Sequence, residues 1–339
     1  MAIEIIGTGR AVPNRRVTND ELAEKIDTSD EWIRSHTGIG ARHYADENTA
    51  TSDLGAAAGL EALKWAIQKG AVAEKTTEEL ALTLDLIVLG STTQDYYGCP
   101  ATACIIQNKL GAVNAAVMDL AVGCSSFIYS LETAAALLNA NSQRKRALVI
   151  GADILSRVTN WEDRSTCVLF GDGAGAVLLE KTETEGRGIL RSTLGADGSG
   201  WEYLGIYKGG SRNPWKKGET IDEGSTVFMN GQAVYNFAVG ILTETIAKLL
   251  KDEGITAEDI SMIVPHQANA RIILAAGKRH KMPKEKLYIN IEEYANTSSA
   301  SIPIALDELN RSGAIKKGDL IMTVGFGSGL TYGGNLIRW

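Results

Sequence analysis

The 339-residue chain contains two copies of one order of segments, and this repeat limits its fold more than any other feature of the sequence. In the first copy, DLIVLGSTTQ and CPATACIIQNKLG precede AVMDLAV, CSSFIYSLETAAALL, RALVIGAD and GDGAGAVLLEK. In the second copy, the corresponding order is SMIVPHQANARIILAAGKRH, KLYINIE, NTSSASIPIALDEL, DLIMTVGF and GFGSGLTYGGNLIRW. Any α/β protein alternates strands with helices, but several successive matches at similar spacing favour a duplication over chance.

Most of the short segments are almost continuously apolar, which indicates strands in sheets that helices cover on both faces. Strands of this kind are joined by right-handed crossovers. We therefore predict a layered α/β fold made of two similar halves, residues 1–183 and residues 184–339. Residues 187–226 are rich in Gly, Ser, Trp and Lys, and we expect an irregular connection there that covers a surface or a pocket.

Charge and cysteine content exclude several classes of function. The net charge of −7 argues against a general nucleic-acid-binding protein, because such a protein needs a concentrated basic face. Four cysteines without a CxxC pair and four histidines provide neither a zinc framework nor a disulfide scaffold, so we expect no metal. The N-terminal segment MAIEIIGTGR has no signal-peptide pattern, and no apolar run reaches the roughly 18 residues of a membrane span. The sequence thus predicts a soluble cytoplasmic protein.

Cys124 follows the predicted strand MDLAV and a glycine, and it stands at the start of a predicted helix. A thiol at a helix N-terminus lies at the positive end of the helix dipole, which lowers its pKa and favours the nucleophilic thiolate. Most cysteines are buried and behave as small apolar side chains, and we interpret Cys104 and Cys167 in that way. Cys124 is therefore the candidate nucleophile.

His266 and Asn296 are the candidate partners of this nucleophile. His266 follows a strand in VPHQAN, and sheets of this class bind ligands at the carboxyl ends of their strands. Asn296 occupies the helix start that corresponds to Cys124, so we expect the two helix starts to face each other. Alone, Asn296 is interpreted as a helix N-cap and His266 as a structural side chain. Together, an imidazole N–H and an amide NH₂ can stabilise the enolate of a decarboxylating malonyl thioester, which then attacks an acyl-Cys124.

Seven motifs in one order carry a family resemblance: TSDEWIRSHTGIGAR, MDLAVGCSSF, FGDGAGAVLL, MNGQAVYNFAV, VPHQANARI, NTSSASIPIAL and GFGSGLTYGG. With them, nearly the whole chain resembles the β-ketoacyl-acyl carrier protein synthase III family of condensing enzymes in the thiolase superfamily. The resemblance implies a thiolase-like fold with α-β-α-β-α layers. It implies a homodimeric acyltransferase that takes an acyl group, often acetyl, from acyl-CoA onto Cys124. Condensation with malonyl-acyl carrier protein beside His266 and Asn296 then initiates fatty-acid synthesis, with the coenzyme A thioester as a substrate and no cofactor.

The same resemblance implies roles for residues around the nucleophile. The backbone N–H groups of Cys124 and Ser328 would form an oxyanion hole, and Phe326 would pack over the thiol. We expect Phe326 and Cys99, which lies in a Gly-Cys-Pro loop, to line the substrate pocket. Ser126 and Ser328 replace residues that are smaller in the family, so their side chains are expected to narrow the pocket.

Coenzyme A is expected to contact Trp32, His36 and Arg164, with its adenine between Trp32 and Arg164. Outside the resemblance, Trp32 is interpreted as a packing residue and Arg164 as a solvated charge. His36 stands where the family usually has an Arg before Thr-Gly-Ile, which weakens the expectation of a phosphate contact there.

A basic run follows His266 on or just after the next predicted helix: Arg271, Lys278, Arg279 and Lys281. Arg271 and Lys278 are seven residues apart and therefore share one helix face. Such a run is usually a solvated helix face. In an acidic chain, beside a candidate active-site His, we interpret it as a dock for the acidic carrier protein.

Two alternatives remain open at the level of the sequence. A polyketide-priming or chalcone-synthase-like condensing enzyme also combines a Cys with a His and an Asn. A catalytically silent homologue that only binds the carrier protein is a second alternative, and the presence of Cys124, His266 and Asn296 argues against it. We expect neither a nucleic-acid nor a membrane partner.

Overall fold

The computed structural model describes residues 1–220 and 223–339 of the chain. Its strands are β1 (Ala2–Ala11), β2 (Arg15–Thr18), β3 (Ala41–Tyr44), β4 (Leu86–Gly90), β5 (Ala116–Leu120), β6 (Arg146–Ile154), β7 (Asp172–Thr182), β8 (Gly188–Ala196), β9 (Leu204–Gly205), β10 (Phe228–Met229), β11 (Met262–Pro265), β12 (Leu320–Gly327) and β13 (Thr331–Arg338). Its α-helices are α1 (Asn19–Ala23), α2 (Asp30–Thr37), α3 (Thr51–Gln68), α4 (Thr77–Ala81), α5 (Thr102–Leu110), α6 (Ser126–Asn139), α7 (Arg164–Cys167), α8 (Gly231–Glu253), α9 (Ala270–Arg279), α10 (Ile291–Tyr294) and α11 (Ser301–Ser312).

Two sheets repeat one strand order, as the sequence repeat predicts. The first sheet has the order β1-β7-β6-β4-β5, and the second has the order β8-β13-β12-β11. In the first, β7 runs antiparallel to both neighbours while β4 runs parallel to both of its own. In the second, β13 is antiparallel to its neighbours and β11 is parallel to β12. The topology of the two halves is therefore the same, apart from the last strand of the second sheet.

That last strand is where one sequence expectation is wrong. KLYINIE was predicted to pair as AVMDLAV does in β5, but it makes one parallel bridge, between Leu287 and Ile263. After this bridge, the backbone of the segment bonds to the side chain of Gln267 instead of to a strand. The Gln267 amide donates to the Tyr288 carbonyl at 3.1 Å and accepts from the Asn290 N–H at 3.1 Å. These bonds occupy the backbone groups that a further strand ladder would use.

Side chains that alternate along the strands separate three hydrophobic cores. On β6, Leu148 and Ile150 join α3 and α5 in an outer core, while Ala147 and Val149 face α6 and α11 in a central core. On the other side of the second sheet, Met322 packs with α8 and α9 in a third core. The layers are therefore α-β-α-β-α, with α6 and α11 between the two sheets, and the thiolase-like expectation is confirmed.

Residues 187–226 are more ordered than the sequence predicts. The nine residues of β8 form an edge strand that pairs antiparallel with β13, from Ala196 opposite Thr331 to Gly188 opposite Arg338. Alternation of half-buried and exposed side chains suits β8 to an edge position. The rest of the segment is largely irregular, and residues 221–222 lie outside the described residues. We propose the boundary between the halves at residues 183–184, since β7 ends at Thr182 and β8 begins at Gly188.

Helix α8 is long and apolar enough, by length and composition alone, to span a membrane. The sequence analysis did not predict a run of this kind. Val234, Leu242, Ile246 and Leu249 of this helix pack in the third core against the second sheet. The apolar residues of α8 are thus accounted for by packing in the layered fold.

Candidate active site

A cavity of about 430 Å³ opens between the two halves and is lined by residues of both. From the first half, Cys124 lines it together with the loop that follows β4. From the second half, His266, Asn296 and Phe326 line it. The repeat therefore brings the three residues that were selected from the sequence to one concave site.

Cys124 lies in the tight turn between β5 and α6. Gly123, directly before it, has φ +61°, a left-handed conformation that glycine adopts at little cost. A Cβ at Gly123 would lie 2.5 Å from the backbone nitrogen of Ser328, and a Cβ at Gly327 would collide with the backbone nitrogen of Cys124. The two Gly-rich turns therefore pack backbone to backbone, which leaves the Cys124 side chain at the cavity.

The pKa of Cys124 is the clearest disagreement with the sequence-based expectation. Burial raises the pKa of this thiol to about 12, and a nearby negative charge on Asp153 acts in the same direction. The Ser298 hydroxyl and the backbone N–H of Cys124 itself lower it. The predicted low pKa from the helix dipole is wrong because Cys124 precedes α6 by two residues and lies where desolvation disfavours the thiolate. At neutral pH the resting thiol is therefore almost entirely protonated.

His266 follows β11, and its backbone N–H donates to the Val324 carbonyl at 2.8 Å, which extends the pairing of β11 with β12 by one bond. Its side chain is buried, and the Phe326 ring meets it edge to face with a centroid separation of 5.6 Å. Burial lowers the pKa of His266 to about 3. The imidazole is therefore neutral at physiological pH, and it acts as a hydrogen-bonding group without a charge.

The Ser301 hydroxyl determines which nitrogen of this imidazole carries the proton. Ser301 Oγ lies 2.7 Å from His266 Nδ1 and accepts the Gln267 N–H at 3.3 Å. Among the described residues, the hydroxyl proton has no other acceptor than Nδ1. Nδ1 is thus the acceptor, so the ring proton is on Nε2, the nitrogen without a hydrogen bond among the described residues, in a side chain that lines the cavity. In this tautomer His266 donates a hydrogen bond into the cavity and cannot accept the thiol proton of Cys124.

Asn296 is oriented by backbone contacts on both sides. Its N–H donates to the Leu169 carbonyl at 3.0 Å, and its carbonyl accepts from the Gly171 N–H at 3.0 Å. Its side-chain Oδ1 accepts from the Ser298 N–H at 2.8 Å. Because the oxygen is occupied, the NH₂ group is the part of the amide that is left to donate into the cavity.

Asn296 is further from its helix than the repeat predicts. A 3₁₀ turn over Ser298–Ala300 separates it from α11, which begins five residues after Asn296, whereas α6 begins two residues after Cys124. The two residues therefore share a cavity but not an identical helix position. This added turn supplies Ser298, which also lines the cavity.

Asp153 joins the two halves directly behind the site. It is fully buried at the end of β6, and its Oδ1 accepts from the Thr92 and Thr93 N–H groups at 2.7 and 3.0 Å. Its Oδ2 accepts from the Ser299 hydroxyl at 2.6 Å and the Ser299 N–H at 3.1 Å. The carboxylate thus fixes the turn that follows Asn296 against the loop that follows β4.

The residues expected to surround the thiol have mixed outcomes. Ser328 and Phe326 line the cavity, but Cys99 does not; it is exposed in the loop between β4 and α5. Ser126 does not narrow the cavity either. Its hydroxyl turns back to donate to the Gly123 carbonyl at 2.6 Å and to accept the Val122 N–H at 2.9 Å. Cys104, interpreted from the sequence as buried, is exposed on α5.

The residues expected to bind coenzyme A lie together at the mouth of the cavity. His36 lines it and stacks on Trp32 with ring centroids 4.4 Å apart. The Arg164 guanidinium lies 5.4 Å from the centroid of the same Trp32 ring. A planar base between Trp32 and Arg164 needs about 7 Å, the sum of two van der Waals contacts. An adenine there therefore requires one of the two side chains to move.

The four basic residues that follow His266 in the sequence are exposed, and they lie on or just after one helix, as predicted. Arg271, Lys278 and Arg279 belong to α9, and Lys281 follows it. The N-cap of α9 is Asn269, whose side-chain amide donates to the His36 carbonyl at 3.0 Å. The helix that carries the basic residues is thus tied to the cavity mouth.

The sequence analysis missed two serines and most of one cavity wall. Ser298 and Ser301 stand in the motif NTSSASIPIAL, where a run of small hydroxyl residues gave no signal that separates them from a helix cap. The remaining wall includes Leu204, Ile206 and Val227. Leu204 and Ile206 lie in the segment 187–226 and Val227 directly follows it, so the expectation that this segment covers a pocket is confirmed.

The sequence is similar to one family of known proteins along most of its length. Residues 118–198 match the family described as 3-oxoacyl-acyl-carrier-protein (ACP) synthase III, and residues 250–339 match its C-terminal region. A curated β-ketoacyl-acyl-carrier-protein synthase III of Caldanaerobacter subterraneus is 48% identical and covers 100% of this chain and 98% of its own length.

Solved structures of condensing enzymes are also similar to this chain. The crystal structure of 3-oxoacyl-acyl-carrier-protein synthase III from Aquifex aeolicus matches with a TM-score of 0.86 and 39% identity, over 100% of both chains. The priming β-ketosynthase of the R1128 polyketide biosynthetic pathway matches with a TM-score of 0.88 and 31% identity, over 99% of this chain and 96% of the other.

Proposed function

The chain belongs to the β-ketoacyl-acyl carrier protein synthase III family of condensing acyltransferases, and we propose that Cys124, His266 and Asn296 divide its reaction into two steps. The enzyme initiates fatty-acid synthesis by a decarboxylating condensation. The observation that carries the proposed division is that one cavity is lined by a thiol and by two neutral hydrogen-bond donors.

In the first step, Cys124 takes the acyl group of an acyl-CoA primer, for which we propose acetyl-CoA. The Cys124 sulfur attacks the thioester carbonyl, and coenzyme A leaves as the free thiol. The N–H groups of Cys124 and Ser328 are the proposed oxyanion hole. The close packing of the two Gly-rich turns, Gly123 against the Ser328 nitrogen, supports this assignment.

In the second step, malonyl-acyl carrier protein loses CO₂, and the enolate oxygen is held by His266 Nε2–H and the Asn296 NH₂. Both groups are neutral, so neither has to gain or lose a proton as charge develops. Donors fixed by Ser301 and by the Ser298 N–H need little reorganisation, which is how an enzyme stabilises developing charge. The enolate carbon then attacks the carbonyl carbon of the acyl-Cys124, the bond from that carbon to the Cys124 sulfur breaks, and the sulfur leaves with the electron pair as the 3-ketoacyl product forms.

The proposed partners follow from the surface around the cavity. Trp32, His36 and Arg164 at the mouth are proposed to bind coenzyme A. The exposed basic residues on and after α9 are proposed to attract the acidic carrier protein, which raises the rate of encounter. These residues are Arg271, Lys278, Arg279 and Lys281.

We further propose a homodimer in the cytoplasm. Strand β5 is the edge of the first sheet and is only partly covered, so its backbone groups can pair with a second copy. The loop that follows β4 lies beside this edge, since the N–H of its first residue, Ser91, donates to the Leu120 carbonyl of β5. The same loop carries the exposed Tyr96 and Tyr97. The likeness to a polyketide-priming synthase at 31% identity is a likeness of fold and general chemistry, and it does not change the proposed primer.

Incubation with radiolabelled acetyl-CoA tests the proposal. Label is expected on the Cys124 peptide, with release of free coenzyme A, and addition of malonyl-acyl carrier protein is expected to yield acetoacetyl-acyl carrier protein. Cys124→Ala removes the label, whereas Cys104→Ala, a matched change of an exposed cysteine, keeps it. An unlabelled wild-type Cys124 with intact acetyl-CoA would contradict acetyl priming.

A further inference from the structure

The Ser298 hydroxyl is a buried polar group that the reaction described above does not use. Ser298 is 2% exposed and lines the same cavity as Cys124. Its oxygen forms no hydrogen bond within residues 1–220 and 223–339. A buried hydroxyl without a partner costs stability, so a hydroxyl of this kind at a reactive site is expected to have an acceptor during the reaction.

The backbone at Ser298 holds this hydroxyl in place. Ser298 has φ +51°, a left-handed conformation that is unfavourable for a residue with a side chain. Its N–H donates to Asn296 Oδ1, and the next residue, Ser299, is bound through its hydroxyl and N–H to Asp153. Contacts from both halves therefore fix a strained serine beside the nucleophile.

The thiolate form of Cys124 needs a stabilising group, and none of the residue roles proposed above supplies one. Burial and Asp153 raise the pKa of Cys124, and His266 is neutral with its proton on Nε2, so it does not take the thiol proton. Ser298 is the side chain that lowers the pKa of Cys124. Ser298 lines the same cavity as the thiol, and its buried hydroxyl has no partner among the described residues, so it is free to donate to the sulfur.

We propose that the Ser298 hydroxyl is a catalytic residue that donates a hydrogen bond to the Cys124 thiolate during acyl transfer, an inference that rests on the proposed function. The thiolate forms a bond to the acyl carbon, and the bond from that carbon to the coenzyme A sulfur breaks. Coenzyme A leaves with the electron pair and gains the proton that Cys124 lost. Ser298 keeps its own proton throughout, and it can donate again when the condensation step expels the Cys124 thiolate.

Two substitutions remove the Ser298 hydroxyl but differ in their effect on the backbone strain at this position. Ser298→Ala keeps a side chain, whereas Ser298→Gly relieves the strain of φ +51° and retains the N–H that orients Asn296. Thr297→Val is the matched control. The Thr297 hydroxyl is also buried without a partner, but Thr297 does not line the cavity.

The measurement is the rate of Cys124 alkylation by iodoacetamide between pH 7 and 9, read from the Cys124 peptide by mass spectrometry. Because this range lies below the raised pKa of Cys124, the rate follows the small thiolate fraction. Both Ser298 variants are expected to be alkylated about tenfold more slowly than wild type across the range, as for the loss of one hydrogen bond to a charged group. Thr297→Val is expected to match wild type. An unchanged rate in both Ser298 variants, or an equal loss in Thr297→Val, would overturn the proposal.

A second readout separates the thiolate from the enolate. After prolonged acylation, the Ser298 variants are expected to decarboxylate malonyl-acyl carrier protein within about twofold of wild type, because the acylated sulfur no longer carries charge. A loss equal to that in acyl transfer would show that Ser298 acts on the second step. Alkylation needs no substrate, so slower alkylation of the Ser298 variants, together with no acetyl transfer in wild type, would contradict the proposed function and leave the role of Ser298 intact.

Discussion

The two helix starts that meet at the cavity correspond to each other in the repeat, yet the proposed mechanism gives them different tasks. A residue with positive φ precedes each functional side chain, Gly123 at +61° before Cys124 and Ala295 at +56° before Asn296. The first start is short and leads directly into α6. The second carries an added 3₁₀ turn before α11.

Similar segments thus present different side chains to the cavity. The short start places one sulfur there, while the hydroxyl of Ser126 turns back to the Gly123 carbonyl. The longer start adds Ser298 to the cavity lining and supplies Ser301, which bonds to His266 Nδ1. The added turn therefore directs polar groups to the site, whereas the Ser126 hydroxyl of the short start is used within its own turn.

Substitution of Cys124 and of Asn296 tests the division between acyl transfer and decarboxylation, and we expect the largest loss of activity here. Cys124→Ala abolishes acyl transfer, because no other described residue in the cavity is a thiol. Asn296→Ala keeps acyl transfer and lowers decarboxylation by about 10²–10³, the usual cost of a lost charge-stabilising donor. Label transfer from acetyl-CoA and CO₂ release from malonyl-acyl carrier protein measure the two steps. Equal loss of both steps in Asn296→Ala would remove the basis of the comparison.

Gly123→Ala tests how tightly the short start is packed. The added Cβ meets both strained φ and the Ser328 backbone, so we expect a loss of about 3 kcal/mol in the free energy of unfolding. Gly111→Ala is the control, since Gly111 has φ +67° with open space around it and is expected to lose about 1 kcal/mol. Urea unfolding of both variants measures the difference. Equal losses would show that the turns are not close-packed.

Ser301→Ala tests the longer start through the tautomer of His266. Without the hydroxyl, Nδ1 loses its hydrogen-bond donor, and the tautomer with the proton on Nδ1 becomes populated. We expect decarboxylation to fall about tenfold while acyl transfer is unchanged. Ser301→Thr retains the hydroxyl and is expected to restore most of the rate. Failure of this rescue, together with a loss of acyl transfer, would indicate a purely structural role.

The neutral state of His266 predicts a small effect of pH on stability. Its folded pKa of about 3 lies below the unfolded value near 6.5, so the unfolded chain binds one more proton between these limits. Stability from this residue is present above pH 6.5 and falls as the pH is lowered. Between pH 6 and 5, wild type is expected to lose about 1 kcal/mol more than His266→Gln. Parallel urea-unfolding curves for the two proteins across this range would contradict a buried neutral imidazole.

Several parts of the fold could be predicted because they depend on local patterns. Apolar runs such as RALVIGAD indicate strands regardless of their surroundings, and their repetition in order predicts two equivalent sheets. Cys124, His266 and Asn296 were selected because each stands at the end of a strand or near the start of a helix. Cys99 lies outside the cavity of the single chain, because a loop sequence does not show which way the loop turns, and KLYINIE failed as a strand because the Gln267 side chain takes its backbone bonds.

Periodicity, repetition and motif order are properties of the chain alone, so they were sufficient for the layered two-half architecture, the family and the choice of Cys124, His266 and Asn296. The electrostatics of the site followed only from the folded chain. The pKa of Cys124, the tautomer of His266 and the orientation of Asn296 depend on burial and on hydrogen bonds between residues far apart in the chain. Desolvation opposes the expected effect of the helix dipole on the thiol, and the Ser301 hydroxyl, which no distinctive motif marks, bonds to His266 Nδ1.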